Sequence, residues 1–114
     1  MPTQDQKSCI ASAVLAIRNA QNLIHQQINA SSDVQVSIKL QNQYSGLDSC
    51  LSQLLHAQNV ADDAIFSGAI AVLKSQTAGL QKDDVTIKKI IADVATADKV
   101  LGYISQALGF IAKL

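Results

Sequence analysis

The sequence predicts an all-α, single-domain protein folded as an antiparallel up-down-up-down four-helix bundle. Three observations carry this reading. Apolar residues recur at steps of three and four along most of the 114-residue chain, the period of one face of an α-helix. Polar caps and Asp pairs interrupt the pattern near residues 31, 59 and 80. The resulting links are short, and short links join antiparallel neighbours. The alternative is a three-helix bundle in which 59–63 only kinks a continuous second helix.

The first helix is expected over 4–29. Thr3 stands before it, Asp5 and Gln6 fall in its opening turn, and Ile10, Ala13, Val14, Ile17, Ala20, Ile24 and Ile28 share one face. Asn29-Ala30-Ser31-Ser32 breaks that stripe, and Asp33 is placed to accept a backbone N–H from the next helix. The second helix, expected over 34–58, carries Val36, Leu40, Tyr44, Leu47, Leu51, Leu54 and Leu55. It tolerates Gly46 at about 1 kcal/mol relative to Ala.

Asn59, Asp62 and Asp63 mark the next turn, since carboxylates are favoured at the positive end of a helix dipole. The third helix is expected over 61–77, with Ala61, Ile65, Phe66, Ala69, Ile70, Val72 and Leu73 on its stripe and Gly79 as a left-handed stop. Asp83 and Asp84 open the fourth, over 84–112, and Asp84 pairs with Lys88 one turn on. Its stripe of Ile87, Ile90, Ile91, Val94, Ala97, Leu101, Ile104, Leu108 and Ile111 is the most regular in the chain.

Composition narrows the function classes. Hydrophobic residues form 48% of the chain and charged ones 16%, so a single core forms without help. Nine Lys and Arg balance nine acids, which removes the basic excess that nucleic-acid binding uses. All nine acids are Asp, whose short carboxylate suits helix starts, and the missing Glu removes the usual ligand of di-iron bundles. No apolar run approaches the length of a membrane span, and no opening basic-then-apolar segment resembles an export signal. A soluble protein is expected, and its compartment stays open: cytoplasmic, or exported if Met1 is an engineered start.

Cys9 and Cys50 come to nearly the same height when the first two helices fold back at residues 31 and 32, and both flank the seam. Two readings stand side by side: a disulfide, or two independent thiols behaving as small hydrophobes. His25 and His56 lie at opposite ends of that hairpin, so they share no ion and read as surface or seam-edge residues. The pairs Asp62-Asp63 and Asp83-Asp84 read as caps, because adjacent helical residues diverge by about 100°. Gln21 and Asp98 adjoin apolar stripes and read as wet-edge residues, against a register-fixing or cavity-lining role. Asn29-Ala30-Ser31 matches a glycosylation acceptor that recurs by chance.

The C-terminal segment is more apolar than one bundle face needs. Gly102, Tyr103, Gly109, Phe110 and Leu114, with Phe66 of the third helix, form the candidate contact surface. Its alternatives are wrapping of the bundle's own end and contact with lipid. The lipid reading is disfavoured by a single cation, Lys113, in the segment. No phosphate loop, nucleophile elbow or metal-ligand spacing is present. The expectation is therefore a non-enzymatic helical module acting through a protein partner or a second copy, with no cofactor. A carrier of a small apolar ligand or lipid between the helices is the alternative, and an enzyme ranks third.

Overall fold

Each well-defined helix start is made by a side-chain oxygen that satisfies backbone N–H groups left free in the first turn. The computed structural model describes residues 3–82 and 84–114, with the side chains of 81–85 outside the description. Met1-Pro2, the Asp83-Asp84 caps and the Asp84–Lys88 pairing lie outside what is described. The helices are α1 (Gln4–Ala30), α2 (Val34–Asn59), α3 (Asp63–Lys82), α4 (Asp84–Ile90) and α5 (Val94–Ala112).

Thr3 and Gln6 form a reciprocal capping box: Thr3 Oγ1 accepts from the Gln6 N–H at 3.1 Å, and Gln6 Oε1 accepts from the Thr3 N–H at 2.9 Å. Asp33 Oδ1 accepts from Gln35 N–H at 2.9 Å, and Asp62 Oδ1 from Ile65 N–H at 3.0 Å. Asp93 does the same for α5, accepting from Ala95 N–H at 3.2 Å and from the Thr96 hydroxyl at 2.8 Å. The Thr96 hydroxyl holds the Asp93 carboxyl below its ordinary range.

Asp93 is where the fold departs from the expected single helix over 84–112. The chain breaks between Ile90 and Val94, because a carboxylate with a Thr three residues on caps a new helix better than it continues an old one. Gly79 does not stop α3, which runs on to Lys82, and no glycine among the described residues has positive φ. The third reversal accordingly lies at 91–93 instead of near residue 80.

The limbs follow from contacts along the bundle. Gln21 of α1 donates to the Tyr44 carbonyl of α2, and Gln53 of α2 donates to the Ala69 carbonyl of α3. Beyond α3, Thr86, Lys89 and Ile90 of α4 share a groove with Lys39, Asn42 and Gln43 near the start of α2. Ile90 and Ala92 then stand beside the 31–33 turn. The third limb is therefore α3 followed by α4, and α5 returns as the fourth, giving an elongated bundle of 46 × 21 × 21 Å. α1 makes its most extensive packing with α5 and α2, whereas α3 packs chiefly on α2.

In α1, Ile10, Ala13, Ile17, Ala20 and Ile24 are buried as expected and Ala16 joins them, whereas Val14 and Ile28 are half-buried. In α2 the buried row is Leu40, Gln43, Leu47, Cys50, Leu54 and Ala57, while Tyr44, Leu51 and Leu55 are only half-buried. Spacing of three and four decides which residues face inward, and a Gln and a Cys occupy two of those places. Gln21 is also buried, its amide donating to the Tyr44 carbonyl at 3.3 Å and to Asp48 Oδ1 at 3.5 Å. It ties α1 to α2 instead of lying at a wet edge. Asp98 is exposed, as expected.

Candidate functional site

The outer face of α3 exposes apolar and small side chains with little charge among them. From Ala64 to Leu80 its only charged residue is Lys74. Phe66, Ala69, Ile70, Leu73 and Leu80 point inward, which leaves Ile65 and Val72 on the outside with 55% and 48% of their surface exposed. These two were expected on the inward stripe with Ala61, which is exposed too. They stand two helical turns apart, and Ala64, Gly68, Ala71 and Ser75 lie exposed around them. A Cβ placed at Gly68 would meet nothing within 4 Å, so an approaching side chain has room there.

Phe66 is buried at 7% exposure and belongs to the core, which corrects its expected place in a contact surface. Its neighbours in the row of three and four are Ala69, Ile70 and Leu73, all buried, and its ring completes their packing. On α5 the outcome is split. Tyr103, Phe110 and Leu114 are half-buried and pack against the core, so these side chains wrap the bundle's end. The Lys113 ammonium sits 5.5 Å from the centre of the Phe110 ring. Gly102 and Gly109 stay exposed on the opposite face, with Ser105 and Gln106 between them.

Both α5 glycines sit in helical backbone with open space at the missing Cβ. Gly102→Ala and Gly109→Ala together should therefore stabilise the protein by about 1–2 kcal/mol through helix propensity alone. Denaturant unfolding measures this, and a loss of stability would mean that one of these positions needs its hydrogen for close packing.

Cys9 and Cys50 are free thiols. Cys9 is half-buried at the edge of α1, but Cys50 is completely buried in the core instead of flanking the seam, and burial pushes its pKa up to about 11. His25 is exposed, with its ring centre 6.4 Å from that of Tyr44, and both line a groove of about 420 Å³ with Ile28, Asn29, Gln41 and Ser45. His56 lies more than three turns further along α2, near its end. Among the described residues no group of three or more His, Cys, Asp or Glu gathers as a metal site.

Within the described residues no helix is long and apolar enough to cross a membrane. The molecule belongs to the all-α bundle class. No family model matches the chain, and neither the curated proteins nor the solved structures include one that is similar to it.

Ile65 and Val72 each precede an inward residue, Phe66 and Leu73, so both fall on the same flank of the apolar stripe, and bulk alone does not separate that exposed flank from the inward row. The small residues Ala64, Gly68, Ala71 and Ser75, themselves spaced by three and four, are the sign that marks an outward row.

Proposed function

We propose that the protein is a non-enzymatic helical contact module that pairs with a second copy of itself through the outer face of α3. The observation that carries this is the exposed Ile65 and Val72 beside the open position at Gly68. In a two-fold antiparallel arrangement centred between Gly68 and Val72, each Val72 meets the partner copy's open position and each Ile65 meets a Ser. Such an interface is self-complementary and brings no like charges together at its centre.

One helix face is a small interface, so a Kd between about 10 μM and 1 mM is expected. Sedimentation equilibrium over that concentration range should show monomers passing to dimers. Val72→Lys should abolish the dimer, because it buries an unpaired ammonium where a hole accepted an isopropyl group. The variant pair Gly102→Ala and Gly109→Ala should associate like the parent. A parent chain that stays monomeric throughout, or a dimer indifferent to Val72→Lys, would overturn the reading.

A further inference from the structure

We propose that the groove between α2 and α4 binds a tetrahedral oxyanion of the phosphate class, free or as the head of a phosphomonoester. The groove holds about 390 Å³ and is lined by Lys39, Asn42, Gln43, Thr86, Lys89 and Ile90. Its lining contains two ammonium groups, two carboxamides and a hydroxyl, all able to donate, and no carboxylate among the described residues.

Gln43 is the residue that makes this more than two surface lysines. It is only 8% exposed and occupies an inward position of the α2 row, yet its carboxamide has no hydrogen-bond partner among the described residues. Its amide opens onto the groove instead of being sealed in the core, so its N–H groups are available to a ligand oxygen there. Gln21, the other buried Gln, has its partners within the protein. Lys39 and Lys89 are exposed and make no ion pair among the described residues. They approach the groove from different helices, so an anion between them relieves their mutual repulsion and takes a charge-assisted bond from each.

The test is a two-dimensional NMR titration with inorganic phosphate, ionic strength held constant with sodium chloride. Saturable shifts are expected at the Gln43 side-chain amide and at Thr86. The double variant Lys39→Ala, Lys89→Ala should weaken binding at least tenfold. Gln43→Leu should weaken it several-fold while unfolding at the same or a higher denaturant concentration, since it replaces a partnerless amide by an apolar group of similar size. Methyl phosphate and vesicles containing phosphatidic acid separate a soluble ligand from a lipid headgroup. Binding to either that is lost in the double variant supports the site. Shifts that never saturate, or that persist unchanged in the double variant, would overturn it.

Discussion

Ile17→Ala is expected to lower the stability of the protein by about 3–4 kcal/mol, the largest effect of any single substitution considered. Ile17 is completely buried at the centre of α1, the helix that packs against both α2 and α5. Removing three carbons there forfeits their transfer free energy and leaves a void that two neighbouring helices cannot both close. A domain of this size has about 5–15 kcal/mol in all, so the variant loses a large fraction of its stability. Leu15→Ala, two residues away, supplies the control. Leu15 is 62% exposed, and its truncation should change stability by less than about 0.5 kcal/mol. Denaturant unfolding of the two variants side by side checks the packing directly. Equal losses would mean that α1 presents a different face to the bundle.

The contrast between Ile17 and Leu15 shows why most of this fold can be read from the chain. On α1 the inward row is made of apolar residues and every strong cap stands where its chemistry places it, so period and punctuation agree. Thr3, Asp33 and Asp62 were legible for the same reason. Where period and punctuation disagree, the reading fails. The stripe from Ile87 to Ile111 keeps its spacing across Asp93, and that regularity concealed the Asp93–Thr96 cap that divides α4 from α5. Gly79 shows the opposite error. A glycine can end a helix only if the chain leaves there, and the apolar Leu80 one residue on, buried in the core, holds α3 in place.

The candidate surfaces were harder to read because exposure depends on a helix's neighbours as well as its own pattern. α3 has one extensive neighbour, α2, so its inward arc is narrow, and Ile65 and Val72 fall outside it. α5 packs extensively on α1, and its wider arc draws Tyr103, Phe110 and Leu114 partly inward. The sequence shows both helices as apolar and cannot say which has fewer partners. The α2–α4 groove was invisible for a further reason. It joins Lys39 and Gln43 to Thr86 and Lys89, residues whose proximity depends on the third limb extending past residue 80 before the chain turns back.

The Cys50 thiol should make stability fall as pH rises from about 9 to about 11. Its pKa is raised from 9.0 to about 11 because burial disfavours the thiolate. The sign follows from proton occupancy. In that window the unfolded chain has already released the proton and the folded one still holds it, so each increment of pH lowers the unfolded state relative to the folded one. Stability contributed by the neutral thiol is complete below pH 9 and lost above 11, a total of about 2–3 kcal/mol. Other groups titrate in the same range, so the measurement is the difference between the parent and Cys50→Ala. The variant should be less stable near neutral pH, where it carries a cavity, and the gap should narrow or reverse by pH 11. Alkylation gives a second readout. At pH 8 a thiol with a pKa near 11 is about a hundredfold less ionised than one at 9, and Cys50 is closed to solvent besides. Cys9 should therefore react in the native protein, and Cys50 only as fast as the bundle opens. Equal reaction at both sites, or a parallel pH dependence in parent and variant, would place Cys50 outside the core and undo the α2 register on which the α2–α4 groove depends.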